Sequence, residues 1–257
     1  MIPLILSGLR TYTRDSFSYD PRGDHSYRAN YPVLYLLDPD VEFGLVENIA
    51  RTMINYDAME PFIIGLKIVQ RIKFLCTYPL EKKDFESRDH EYKGLSDCAG
   101  GSRKFKNFIE KELIPYINDS YRTSNERALF GHLQGGLFVK WMMLNYPQIF
   151  EKYIMPSPSL WIEKGQMMTQ FRRLNHSEKV KAYFAVGSLE QDTKGSMVND
   201  LELFYTALPK SKLFESKFQI IEGENHVSMV PEGFDKRLKV FIWKIRCFHL
   251  TLLKKLN

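Results

Sequence analysis

The residues whose types and spacing point most directly to chemistry lie in Arg127-Ala128-Leu129-Phe130-Gly131-His132-Leu133-Gln134-Gly135-Gly136-Leu137-Phe138. An apolar run leads into a glycine-rich corner and then into a second apolar stretch, the sequence form of a strand that turns sharply into a helix. Such a corner presents one side chain at its apex, and small residues two before and two after the apex let the backbone bend. Gly131 and Gly135 occupy those two places. Attack on an acyl carbon from the apex needs Ser, Cys or Asp, because the step begins with a lone pair. Leu133 stands there instead, and a hydrocarbon has none.

A corner of this kind needs a sheet to carry it. Short apolar runs rich in β-branched and aromatic residues alternate with longer amphipathic segments, which predicts an α/β fold with a mostly parallel sheet. The spacing predicts strands over Pro32 to Asp38, Phe62 to Leu66, Arg127 to Phe130, Tyr153 to Met155, Lys181 to Val186 and Phe218 to Ile221. Helices are predicted at Ser102 to Ile117, Gly135 to Asn145, Asp200 to Leu208 and Glu232 to Ile245. The polar stretch from Tyr78 to Gly101 is too long for a simple turn and reads as a lid, a binding loop or a surface excursion. No internal repeat or second hydrophobic core appears, so one domain over residues 1–257 is expected.

Composition narrows the function classes. With 44% hydrophobic and 26% charged residues the chain has the make-up of a globular protein. The net charge of +5 arises from 36 basic residues interleaved with 31 acidic ones, which tilts toward an anionic partner but forms no basic arm for nucleic acid. Cys76, Cys98 and Cys247 are widely spaced, which argues against a disulfide framework or zinc site and favours a reducing, cytoplasmic setting. No cluster of His, Asp, Glu or Cys has ligand spacing, so no metal or cofactor is expected. The opening nine residues lack the charged start and cleavage pattern of a signal peptide, and no run approaches the roughly 18 apolar residues of a membrane span.

From about Tyr31 to Phe241 the sequence resembles the Putative esterase family of α/β-hydrolases, which includes esterase D and the enterobactin and bacillibactin esterases. The likeness is densest between Gly100 and Trp161: Glu112-Leu113-Ile114-Pro115-Tyr116-Ile117, Tyr121-Arg122-Thr123, the corner with Gly135-Gly136-Leu137-Phe138, Tyr146-Pro147, and Ser157-Pro158-Ser159-Leu160-Trp161. Glu222-Gly223-Glu224-Asn225-His226 is similar to the loop that carries the family's histidine. The resemblance implies an α/β-hydrolase fold, with His226 as general base following the last strand. It implies Glu190, with Asp192 as the competing candidate, as the acid that orients the imidazole. It also implies the Gln134 N–H as one oxyanion donor. Leu133 would be the nucleophile position. His132 is a usual packing residue of the family. Ser157, Ser159 and Ser228 read as caps or structural hydroxyls, none on a strained turn at a helix N-terminus that would make it a replacement nucleophile.

Other positions depart from the family as well. Pro39 stands where the family has Gly in the loop expected to lend the second oxyanion donor, and proline has no N–H. Asp40 is the neighbouring candidate for that role. The stretch Gln70-Arg71-Ile72-Lys73-Phe74-Leu75-Cys76-Thr77-Tyr78-Pro79 resembles a blurred form of the family's basic, Thr-Pro-containing loop. Three readings stand: an inactive or strongly impaired esterase homologue; a protein that binds an anionic or siderophore-like ligand in the old pocket, with Arg71, Lys73 or Arg103 as contacts; and a working serine esterase carrying a Ser-to-Leu change.

Overall fold

The computed structural model describes residues 9–12, 31–37, 43–46, 48, 62–66, 101–121, 123–163, 179–191 and 196–233. Seven strands form one sheet: β1 (Leu9–Tyr12), β2 (Tyr31–Leu37), β3 (Phe62–Leu66), β4 (Thr123–Phe130), β5 (Lys152–Pro156), β6 (Val180–Gly187) and β7 (Phe214–Ile221), in the order β1-β3-β2-β4-β5-β6-β7. β1 runs antiparallel to β3, and every other pairing is parallel. Helix α1 is continuous from Ser102 to Ser120, passing through a π turn at Ile109–Leu113 just ahead of Pro115, whose ring nitrogen has no hydrogen to donate. Helices α2 (Leu133–Asn145), α3 (Met197–Ala207) and α4 (Met229–Gly233) follow.

Side chains alternate across each strand, so one sheet makes two cores. Val33, Tyr35, Leu37, Leu129, Tyr153, Met155, Phe184 and Val186 join one cluster with the buried faces of α1, α2 and α3. Leu34, Leu36, Ala128, Phe130, Ile154, Tyr183 and Ala185 join the other with Phe43, Val46, Met229 and Val230. Burial on both faces explains why the central strands read as nearly continuous apolar runs. All five residues of β5 are buried, and even Lys152 hides its stem while its ammonium reaches Glu126 at 2.6 Å.

The predicted centres are observed, while several ends lie elsewhere. β4 begins at Thr123 rather than Arg127, and β7 at Phe214 rather than Phe218. Thr123 to Glu126 of β4 and Glu215 to Lys217 of β7 are polar and at least partly exposed, so backbone pairing rather than apolar burial extends these strands, although Phe214 itself is buried in the core. β1 was not expected from its sequence, being four residues long and fixed by pairing with β3. α2 starts at Leu133, two residues before the predicted Gly135, and α3 at Met197 rather than Asp200. Of the last predicted helix only its first two residues are described, as the end of α4; the Tyr78 to Gly101 stretch lies outside the described residues except for Gly101.

Tyr35 carries a polar cost within the core. Its ring is fully buried against Phe150, yet its hydroxyl has no hydrogen-bond partner among the described residues. Burial pushes the phenol far above its ordinary range, with the Arg127 charge offsetting only part. Tyr35→Phe is expected to stabilise the protein by about 1 kcal/mol, because it removes an unsatisfied buried hydroxyl while keeping the ring. Urea unfolding of the two proteins measures the difference; a clear loss of stability contradicts it.

Candidate active site

The corner after β4 is built by close backbone approach. Gly131 donates its N–H to Ile154 O at 3.1 Å, tying the end of β4 to β5. A Cβ on Gly131 would stand 2.5 Å from the Gly135 carbonyl oxygen and 2.8 Å from Val139 Cγ2. A Cβ on Gly136 would stand 2.7 Å from Pro158 Cβ. Neither space admits a side chain, because the obstruction at Gly131 is backbone that cannot turn aside. Gly131→Ala is therefore expected to destabilise by roughly 3 kcal/mol or more, read as a lowered urea midpoint. A midpoint within error of the natural protein would show that the corner yields.

Between these glycines the chain enters the left-handed region. His132 is extended, with φ −98° and ψ 155°, and Leu133 follows at φ 53° as the first residue of α2. That conformation costs a non-glycine residue about 1–2 kcal/mol. Leu133 is also 37% exposed, unusual for so large an apolar side chain in a corner with buried flanks. Its carbonyl accepts from the Ser159 N–H at 3.0 Å, anchoring the corner to the segment after β5. Gln134 is half-buried in the first turn of α2, where backbone N–H groups have no intrahelical acceptor.

Two further loops converge at the same end of the sheet. Beyond β6 the chain makes a short 3-10 turn, Ser188–Glu190, and beyond β7 it turns through Gly223 at φ 77° toward His226. The loops are stitched together: Leu189 N–H donates to Glu224 O at 3.0 Å, and Gly223 N–H donates to Ser188 Oγ at 2.9 Å. Gly187 must lack a side chain because a Cβ would run into the Glu224 carbonyl. Asn225 steadies the turn after β7, its Oδ1 accepting from Val227 N–H at 2.9 Å and Ser228 N–H at 3.1 Å. His226 Nδ1 thereby lies 2.6 Å from Glu190 Oε2.

Glu190 is 1% exposed, so its charge depends on donors. Burial pushes the carboxyl up, but hydrogen bonds from His226, Ser157 and the Gly187 N–H outweigh it and hold the group below the usual carboxylate range. An ionised carboxylate only accepts, so the bond assigns the proton to Nδ1 and leaves the lone pair of the neutral ring on Nε2. Nε2 is buried and has no hydrogen-bond partner among the described residues. The His226 ring lies 4.7 Å from the His132 ring, centroid to centroid, which puts the pair beside the β4 corner. The arrangement has a poised proton acceptor, while the residue at the corner's apex has no proton to give.

The structure brings Leu133, Gln134, Glu190 and His226 to one end of the sheet. Asp192, Asp40, Pro39, Arg71 and Lys73 lie outside the described residues, and Arg103 is exposed on α1. Ser159 contributes its N–H to Leu133, and Ser228 Oγ accepts from Asn225 N–H at 3.0 Å. Ser157 lies after β5 and starts no α-helix, yet it has φ 38°, is fully buried and donates its Oγ–H to Glu190 Oε1 at 2.6 Å. Its polarity and its place after a strand suggested a cap or structural hydroxyl, without indicating a partner. Among the described residues no three His, Cys, Asp or Glu side chains gather as metal ligands, and no helix is long and apolar enough to cross a membrane.

Known proteins share this arrangement of elements. The ferri-bacillibactin esterase BesA of Bacillus subtilis (strain 168) is 28% identical over 236 residues, covering 82% of this chain and 78% of that protein. The BES protein of Bacillus cereus superposes with a TM-score of 0.71 at 24% identity, covering 91% of this chain and 88% of that one. The siderophore hydrolase EstA of Aspergillus nidulans superposes with a TM-score of 0.72 at 19% identity, over 94% and 96%. Both superpositions establish the fold. The model of the family described as "Putative esterase" matches residues 17–239, and the chain belongs to that family of α/β-hydrolases.

Proposed function

We propose that this protein is a siderophore-esterase-like hydrolase in which serine-esterase turnover is lost or strongly impaired, because Leu133 occupies the nucleophile position. One observation carries the reading: a left-handed, partly exposed Leu133 at the apex of the elbow, beside an intact His226–Glu190 pair. In the full mechanism a serine at the apex would lose its proton to His226 Nε2 as its oxygen attacks the ester carbonyl. The alcohol would leave with that proton, and water activated by the same imidazole would clear the acyl-enzyme. Glu190 would orient the ring, and the Gln134 N–H would face the developing oxyanion. With Leu133 the first bond cannot form.

A second reading, ligand binding without turnover, is favoured by the apolar side chains around the pair. Leu133, Leu189 and Val227 are exposed by 37%, 61% and 74% beside the corner, Glu190 and His226 respectively. BesA and related proteins are named for siderophore esters, which makes a siderophore-like ester the ligand class to try. The natural protein is expected to hydrolyse neither a short p-nitrophenyl ester nor a cyclic catecholate triester above the rate of an equal concentration of imidazole. A ligand held at about 100 times its Kd would add roughly 2.7 kcal/mol of stability, visible as a raised Tm. Enzymatic turnover by the natural protein would overturn the first reading; an unchanged Tm across such esters would remove the second.

A further inference from the structure

Ser157 has three properties that no cap requires together. It is fully buried, its backbone is left-handed at φ 38°, and its hydroxyl is spent on a carboxylate. Left-handed backbone in a buried non-glycine residue persists only where the surroundings over-determine it, and such outliers gather at functional sites. Here the surroundings are visible: the Ser157 N–H donates to Ala185 O on β6 at 2.8 Å, fixing the residue against the strand that leads into the loop carrying Glu190.

Among the described residues both oxygens of Glu190 accept hydrogen bonds. Oε1 accepts from the Ser157 hydroxyl at 2.6 Å and from the Gly187 N–H at 2.8 Å, while Oε2 accepts from His226 Nδ1 at 2.6 Å. Two donors on one oxygen prevent the carboxylate from rotating, so the other oxygen stays aimed at the imidazole. Gly187 lies three residues from Glu190 in the same stretch of chain, whereas Ser157 comes from the end of a different strand. Without that hydroxyl, a carboxylate that is almost wholly buried would lose a donor on Oε1 and with it a constraint on its rotation.

We propose that Ser157 is a positioning residue, which acts through Glu190 to hold His226 with its proton on Nδ1 and its lone pair on Nε2. The assignment rests on reading Glu190 and His226 as the acid and base of this site. It explains why a serine occupies a left-handed position that glycine would fill more easily, since glycine has no hydroxyl.

The test uses proton NMR of the natural protein, in which a proton in so short a His–carboxylate bond resonates far downfield of the amides. The resonance is expected in the natural protein, absent in Glu190→Gln, and lost or strongly broadened in both Ser157→Ala and Ser157→Gly. Glycine relaxes the left-handed backbone, so it separates loss of the hydroxyl from strain and decides the matter if the alanine variant does not fold. In a Leu133→Ser background, Ser157→Ala is expected to lower kcat about tenfold with KM unchanged, the pattern of an interaction felt in the transition state. If Leu133→Ser is inactive, the reading of the apex fails separately and the NMR comparison alone decides Ser157. A natural protein without the downfield resonance, or Ser157 variants that keep it, would overturn the assignment.

Discussion

Leu133→Ser is expected to raise hydrolysis of a short p-nitrophenyl ester by about 10³-fold over the natural protein, and Leu133→Ser/His226→Ala to return it to the natural level. Removing the nucleophile from a triad enzyme costs on the order of 10⁶ in kcat, which is the largest gain a restored serine can offer. The loop with Pro39 would forgo one oxyanion donor, worth about 10² to 10³, and the difference leaves the stated figure. Serine meets the same left-handed backbone as leucine at φ 53°, so the substitution adds no backbone conflict. Steady-state rates of the three proteins, with folding checked by circular dichroism, read the outcome. A folded Leu133→Ser protein with no gain would place the loss of activity beyond the apex, in the oxyanion donors or the pocket. Equal activity in the double variant would remove His226 from the role of base.

Which parts of this site were legible follows from how each residue does its work. Gly131 and Leu133 were legible because a corner with no room for a Cβ forces glycine at a fixed distance from its apex, and that spacing survives in the sequence. Glu190 and His226 were legible through the family resemblance, with Asp192 as the competing acid, since an acid after β6 and a histidine after β7 are otherwise ordinary residues; the structure pairs Glu190 with His226 at 2.6 Å. Ser157 reads in the sequence only as a cap or structural hydroxyl, because its backbone angle leaves no mark in its type and its partner lies 33 residues away. The apolar centres of β2, β5 and β6 announced themselves through two-sided burial. The polar start of β4, the polar residues Glu215 to Lys217 of β7, and the whole of β1 owe their structure to neighbours that a linear reading does not see.

Lys140→Met is expected to stabilise the protein most at or below neutral pH, with the advantage shrinking by about 1.4 kcal/mol per pH unit between roughly pH 7.5 and 9.5. Lys140 is on the elbow helix α2, is 1% exposed, and places its Nζ 5.7 Å from the centre of the Phe204 ring. Burial lowers its ammonium from an ordinary 10.5 to about 7. A lysine whose folded pKa is depressed binds fewer protons folded than unfolded between those two values, so the natural protein gains stability as pH rises through that window. Below about pH 7 the charge is present in both states and the full desolvation cost stands. Methionine keeps much of the volume and flexibility of the stem without the charge, so that slope should vanish from its curve. Urea unfolding of both proteins across pH 6.5 to 9.5 isolates the effect, because other groups titrate alike in the two and cancel in the difference. Parallel curves would mean that the lysine keeps its ordinary affinity for a proton when folded, and a large loss of stability at every pH would mean that its ammonium contributes more through its contacts than burial takes away.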